Sequence, residues 1–495
     1  MLVLAALIFI FGLVLYYHIK MPYKFPPGPS FNIPIIGHSH LVRKLSKKYG
    51  GQHKAFESLL EKYGGPILGL KLGRELVIVA FTYDIVKEIH TREEFDGRPD
   101  NFFLRLRTMG TRLGITCTDG KLWNEQRSFV VRQLRNVGYG KSKMEDQIQS
   151  ELKELTQLIE DFDGKPVWPM KELLPPSVIN ILWVFTTGKR IHRNDERLLN
   201  FLNLLQKRSK AFDMSGGILT SMPYLRFFAP EKTGYNLIKG LNAEFYKFFM
   251  EIIEEHLATY SEEKSNDDLI YAYIKEMKVQ KENPDTSFTL LQLVMIILDI
   301  FIAGSQTTST TIDLALMVTL MRPDLHEKCV KEINEVLGRN ETPSYALRSQ
   351  MPFIEAMILE VQRFFHVTPL TGPRRVLKTC ELGGYRIPKD STVLISLRSV
   401  HMDPEFWKDP EVFRPERFLD QNMIVKNLDR LIPFGAGRRK CLGDQLAKAC
   451  IFTFYVGILQ KFNLKSVENE FPSLDLLPGI ILSPKPYKVI FEKKF

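Results

Sequence analysis

One short run constrains this chain more than any other: Phe434-Gly-Ala-Gly-Arg-Arg-Lys-Cys-Leu-Gly443. It presents a single cysteine, Cys441, on a glycine-rich loop, and a helical stretch, Asp-Gln-Leu-Ala-Lys-Ala-Cys-Ile-Phe, follows at once. Peptide N–H groups of the loop and the helix start are expected to converge on the sulfur, hold it as a thiolate and lower its pKa. Glycines let backbone approach a large flat ligand closely. Phe434 can cover the sulfur from water, and Arg439 adds a cation nearby.

A sulfur held in this way is what a haem iron with an axial thiolate requires. The plain alternative is a buried structural cysteine on a tight turn. The flanking residues argue against it, because the run resembles the cytochrome P450 haem-thiolate monooxygenases. Their pattern Phe-x-x-Gly-x-Arg-x-Cys-x-Gly is met by Phe434, Gly437, Arg439, Cys441 and Gly443. The resemblance implies haem b with Cys441 as the metal ligand. It implies electrons drawn from NADPH through a flavoprotein, the NADPH-cytochrome P450 reductase, with cytochrome b5 as a further electron donor.

The 495 residues show no Ser/Gly-rich linker or internal repeat after the first forty, so one large catalytic domain is the simpler reading. Short strands are expected around 67–73, 76–81 and 393–396. Helical periods begin near Trp123, Met144, Pro176, Leu241, Ser287 and Pro323. The chain therefore reads as mainly α with minor β, in keeping with the triangular cytochrome P450 fold. Its five cysteines are scattered and lack metal-site spacing, which suits a reducing compartment. The net charge of +10 comes without the aromatic-interleaved basic motif of a nucleic-acid binder. An anionic membrane face or an acidic redox partner fits it better.

Residues 1–19 carry no Lys, Arg, Asp or Glu. As a helix they would span about 28 Å, close to a hydrocarbon core of about 30 Å. Tyr16, Tyr17 and Lys20 stand where an aromatic belt and a cytosolic positive flank belong. A cleaved signal peptide would need a basic start and a small-residue cleavage site, and neither is present. The expected organisation is an N-terminal transmembrane anchor helix at 1–20, a proline-rich hinge at 21–40 containing Phe25-Pro-Pro-Gly-Pro29, and a catalytic domain at 41–495. The expected location is the endoplasmic reticulum membrane, single-pass, with the catalytic domain on the cytosolic face.

Trp123 and Arg127 lie at i and i+4, on one helical face, and both donate N–H. The plain alternative is a surface arginine stacked on an indole. In the family the matching pair binds a haem propionate, and the resemblance adds Arg98, Arg374 and Arg439 as further propionate partners. It also places Glu360, Arg363 and Arg417 in a buried charge network behind the haem, since Glu360-Val-Gln-Arg363 and Arg414-Pro-Glu-Arg417 precede the cysteine loop in the family's order.

A long helix expected from about 287 to 321 carries Ile302-Ala-Gly-Ser-Gln-Thr-Thr-Ser309. Gly304 is expected to let it press against a flat ligand, and the hydroxyls can bond back to the preceding turn. The plain alternative is a polar notch in a buried helix. In the family, Thr307 occupies the position that hydrogen-bonds the oxygen substrate and its proton-supplying water. The residue before it is usually an acid; here it is Gln306, which orients water but cannot cycle a proton.

The resemblance places pocket walls at 102–115, 205–212, 299–303, 367–371 and 480–482, with Phe102, Phe103, Phe301, Ala303, Leu370 and Ile481 facing a lipophilic substrate. Residues 222–229 form an apolar stretch that could dip into lipid. Arg438, Lys440, Lys448, Arg132 and Arg135 would form a basic face for the reductase. The segment 95–135 is most similar to insect microsomal members, including the sesquiterpenoid epoxidases of juvenile hormone synthesis, which act on methyl farnesoate or farnesoic acid. Broad xenobiotic or steroid hydroxylation is the alternative within the class. A reductase-independent haem isomerase or dehydratase, or a non-catalytic haem protein, lies outside it.

Overall fold

The computed structural model describes residues 19–211 and 222–494, together with Gly12, Ile218 and Leu219. The expected membrane anchor, apart from Gly12, Ile19 and Lys20, lies outside the described residues, as does Phe212 of the expected pocket wall. Six helices position the site: α1 (Gly120–Asn136), α2 (Ser142–Asp161), α3 (Leu174–Thr187), α4 (Leu290–Met321), α5 (Pro352–Phe365) and α6 (Asp444–Lys461).

Helix α4 is the axis of the molecule. Thr289 caps it by accepting from the Gln292 backbone N–H at 3.2 Å, and Pro323 follows its end. Its 32 residues are apolar enough to cross a bilayer by length and composition. Here it is a core helix, packed against α3, α5 and α6. Helix α6 is buried along nearly its whole length, as a helix apolar on every face must be.

Beside the helical core lies a sheet in the order β1 (Ile67–Leu72), β2 (Glu75–Ala80), β4 (Thr392–Ile395), β3 (Arg374–Arg375). The β1–β2 pair is antiparallel with Ile67 opposite Ala80, and β2 runs parallel to β4 with Val77 opposite Thr392. Ile67, Ile78, Val393 and Ile395 pack on one face with the helix Tyr83–Thr91, and Leu68, Leu70, Val77 and Val79 pack on the other with the helices Ser39–Tyr49 and Gln52–Tyr63. The short edge strand β3 sets Arg374 opposite Val393. At the C-terminus β5 (Phe462–Ser466) pairs with β8 (Val489–Lys493), and β6 (Leu476–Leu477) with β7 (Ser483–Pro484).

The proline run lies along β1. The Gly69 N–H donates to the Pro27 carbonyl at 2.7 Å. A Cβ at Gly28 would stand 1.9 Å from the Gly69 carbonyl oxygen, so only glycine fits there.

Candidate active site

The cysteine loop is shaped by two left-handed glycines, Gly435 (φ 66°) and Gly437 (φ 68°), and by the Cys441 N–H donating to the Phe434 carbonyl at 2.9 Å. A Cβ at Gly437 would fall 2.0 Å from the His90 carbonyl oxygen. This glycine therefore admits the neighbouring helix Tyr83–Thr91 rather than a flat ligand, which corrects the sequence expectation for it. Gly443 caps α6.

Cys441 has an exposed side chain, yet burial among protein atoms pushes its thiol pKa up. The two facts together put the sulfur on the wall of an internal gap. A backbone hydrogen bond at Gly443 and the charges of Arg127 and Lys440 act in the opposite direction, while Asp444 adds to the rise. The expectation of a lowered pKa is thus overturned for the protein alone: desolvation outweighs the local dipoles. The cations acting most strongly on the sulfur are Arg127 and Lys440.

Arg127 donates to the Lys440 carbonyl at 2.7 Å and so ties α1 to the loop. Trp123 is buried, with the guanidinium of Arg439 only 3.8 Å from its ring centroid and those of Arg127 and Arg438 at 5.7 and 5.6 Å. Next to them Arg98 donates to the Gly372 and Pro373 carbonyls at 3.0 and 2.7 Å. Arg439 donates twice to the Asp96 carbonyl, at 2.9 and 2.6 Å. Arg374 stands 3.6 Å from the Asp96 carboxylate.

These three guanidiniums repel one another in a desolvated setting. Burial and the neighbouring charge of Arg98 bring Arg374 down to about 10 and Arg439 to about 9. Burial likewise lowers Arg98. The acids at hand are Asp96 and Asp119, and Asp119 is already held by Arg112 and Arg375 at 2.8 and 2.9 Å. Arg98 Nε and Arg439 Nη1 are buried without a hydrogen-bond partner. A cluster with surplus positive charge and unused donors fits a dianionic ligand, and the two propionates of haem supply that charge.

Glu360, Arg363 and Arg417 form a separate, buried ion-pair network. Arg363 grips Glu360 in a two-pronged contact at 2.7 and 2.8 Å, and Arg417 reaches the same carboxylate at 3.0 Å. The remaining N–H groups are used on carbonyls of His401, Pro410, Trp407 and Val412. His401, held neutral because burial brings its pKa to about 3, accepts from the Ile432 N–H at 3.1 Å. One chain of contacts therefore runs from Glu360 to the start of the cysteine loop.

On α4, Ala303 is exposed although Phe301 and Ser305 are buried, so this face too borders an internal gap. The Thr307 hydroxyl donates to the Ala303 carbonyl at 2.8 Å, which leaves its oxygen free to accept. Gly304 points elsewhere: a Cβ there would meet Leu182 of α3 at 2.7 Å. The expectation that Gly304 faces a flat ligand is corrected, since its space is taken by the adjoining helix.

A cavity of about 1080 Å³ adjoins α4, with Gln306, Leu370 and Ile481 in its wall. Phe301 is fully enclosed by Trp183, Phe201 and Phe249, so it is core rather than pocket wall. Phe103 is buried in a small apolar cluster with Leu106 and Ile238. Phe102 borders that cluster, where it stacks on Tyr235 and carries the Arg226 guanidinium at 4.4 Å. The sequence reading missed Asp96 and Asp119, which organise the arginines. It also missed Asp313 and Tyr487, which line the cavity; an acid in an otherwise apolar helix was the available signal for Asp313.

The family model described as cytochrome P450 matches residues 26–491. The chain belongs to the cytochrome P450 family. It is 51% identical to "Probable cytochrome P450 305a1" of Drosophila melanogaster, over 99% of this chain and 100% of that one. It is 36% identical to "Farnesoate epoxidase" of Bombyx mori, over 99% and 98%. It is 32% identical to "Cytochrome P450 2J2" of Homo sapiens, over 95% and 91%. The family is one of haem-thiolate oxidoreductases, and the helix-rich fold with minor sheet is that of its members.

Proposed function

We propose that this chain is an NADPH- and reductase-dependent cytochrome P450 that inserts one atom of O2 into a lipophilic sesquiterpenoid, by epoxidation or hydroxylation. The observation that carries the reading is the cluster of Arg98, Arg374 and Arg439, with buried unpaired donors, next to the Cys441 loop. Similarity to a farnesoate epoxidase supports the substrate class. Broad xenobiotic or steroid hydroxylation is the second reading, favoured by the similarity to "Cytochrome P450 2J2".

In this reading Cys441 ligates the iron of haem b, and Arg98, Arg374, Arg439, Trp123 and Arg127 hold its propionates. When bound, haem supplies the oxygen chemistry, with electrons delivered by the reductase. Thr307, whose own proton is held by the Ala303 carbonyl, accepts a hydrogen bond from the proton-supplying water at the oxygen site. Gln306 orients water in the adjoining cavity. The apolar side chains of Leu370 and Ile481 exclude water from the substrate's path.

Residues 1–20 anchor the chain in the endoplasmic reticulum membrane, 21–40 join anchor to domain, and 41–495 face the cytosol. The reductase docks near the cysteine loop. Arg438 and Lys440 are partly neutralised there by Glu93, Asp96 and Asp444. Lys448, Arg132 and Arg135, which make no ion pair among the described residues, carry most of that attraction.

The test is a panel of farnesoic acid, methyl farnesoate, steroids and drug-like compounds, read by the spin-state change of the ferric protein and by NADPH-dependent turnover with reductase. Farnesoids should shift the spectrum and turn over. Turnover without NADPH and reductase would point to an isomerase, and no turnover of any compound to a haem carrier.

A further inference from the structure

Asp313 sits on α4, seven residues beyond Gln306, so two helical turns put both on one face, about 10 Å apart along the axis. Both line the cavity of about 1080 Å³. Asp313 is 2% exposed, and its carboxyl accepts from the Tyr487 hydroxyl at 2.7 Å; the same hydroxyl also reaches the Asp313 backbone carbonyl at 3.0 Å. No cation pairs with it among the described residues. We propose that the Asp313–Tyr487 pair is the proton reservoir of this enzyme, feeding the oxygen site through cavity water that Gln306 orients.

The argument is geometric first. The position next to Thr307 has an amide, which orients water but neither stores nor releases a proton. The cavity reaches from that amide to Asp313 and onward to Lys47 of the helix Ser39–Tyr49 and to Lys171, both exposed. At about 30 Å³ per water it has room for a continuous file of solvent between the two. The proton would leave the Asp313 carboxyl and pass along cavity water, oriented by Gln306, to the oxygen site at Thr307, where bound haem would supply the oxygen chemistry that takes it up. The carboxylate then regains a proton from water at the mouth of the cavity.

Burial pushes the Asp313 carboxyl up to about 7, against the opposing hydrogen bond from Tyr487, and an acid poised there suits transfer at neutral pH. Of the other titratable groups that line the cavity, Arg43 and Lys47 are exposed and His53 is kept neutral by burial; the charged groups of the adjoining segments have partners of their own. Glu172 accepts from the Trp168 N–H at 3.0 Å, Lys485 pairs with Asp475 at 2.9 Å, and Lys171 lies near the Trp168 ring.

This inference rests on the monooxygenase reading, and its test separates the two. Infrared difference spectra of the haem-loaded protein should show a protonated-carboxyl band that titrates near neutral pH and disappears in Asp313→Asn. In Tyr487→Phe the band should titrate at higher pH, because a hydrogen bond that favours the carboxylate is lost. With reductase and NADPH, Asp313→Asn should lower product per NADPH and slow the proton-dependent step by about a hundredfold, the low end for general acids. It should also alter the solvent isotope effect while haem content stays the same, and Asp313→Glu should restore much of the loss. A band absent from the wild type, or an unchanged isotope effect and product yield in both Asp313→Asn and Tyr487→Phe, overturns the reservoir. Absence of NADPH-dependent turnover in the wild type would instead remove the monooxygenase reading.

Discussion

Gly304 of α4 stands against Leu182 of α3 so closely that a Cβ on the glycine would lie 2.7 Å from Leu182 Cδ1 and 3.3 Å from Cδ2. The glycine in the run Ile302–Ser309 is therefore a helix-crossing residue. Gly304→Ala gains about 1 kcal/mol of helix propensity but overpacks the crossing by about 1–3 kcal/mol. Net destabilisation is expected in urea unfolding of the haem-loaded protein, and Leu182→Ala in the same chain should relieve the overpacking. Additive losses in the double variant would count against the contact.

Arg439→Leu removes one of three crowded guanidiniums. If these hold propionates, haem transfer to an acceptor apoprotein should accelerate by about 10- to 100-fold, the equivalent of one charge-assisted hydrogen bond. Arg438→Leu lies at the rim of the same cluster and is paired with Glu93. It should have a much smaller effect, and equal effects from the two would argue for a general charge contribution.

Glu360→Gln leaves Arg363 and Arg417 buried without their shared counter-charge. A loss of about 3–5 kcal/mol is expected by chemical denaturation. Because His401 links the network to Ile432, the carbon monoxide spectrum of the reduced protein should also lose its thiolate character.

Charge reversal at Lys448 together with Arg132 should slow stopped-flow reduction of the iron by the reductase, with the effect shrinking as salt rises. Haem content should hold. Reversal at Lys440 should do less, because Asp444 already sits 2.6 Å from it.

Asp313 also predicts a pH dependence of stability. Its folded pKa of about 7 lies above the ordinary carboxylate value of 3.8, so between these values the folded state binds more protons than the unfolded one. Stability contributed by this group falls as pH rises through that window and is flat above it. Asp313→Asn should remove that slope, seen as a melting temperature that declines less from pH 5 to pH 8.

The sequence carried much of this molecule in plain view. Strands β1, β2 and β4 were legible from alternating or continuous branched residues, and α4 from its long apolar period. The cysteine loop was legible because chemistry fixes residue types at fixed spacing. The partner of each glycine was not, since a close approach at Gly437 or Gly304 involves His90 and Leu182, far away in the chain. The sign of the Cys441 shift was hidden for a related reason: desolvation depends on everything packed around the loop. Phe301 was placed in the pocket wall by resemblance, and only its packing against Phe201 and Phe249 assigns it to the core.

The Pro27–Gly69 hydrogen bond has a mechanical meaning. The same segment is also tied at Lys24, whose carbonyl accepts from the Arg386 N–H at 2.9 Å, so tension from ahead of Met21 is shared between the strand Tyr385–Ile387 and β1. Any attachment upstream thus pulls on the outermost strand of a four-stranded sheet and on a separate hairpin, so the orientation of the domain can be set from its leading end through two anchor points outside the cysteine loop.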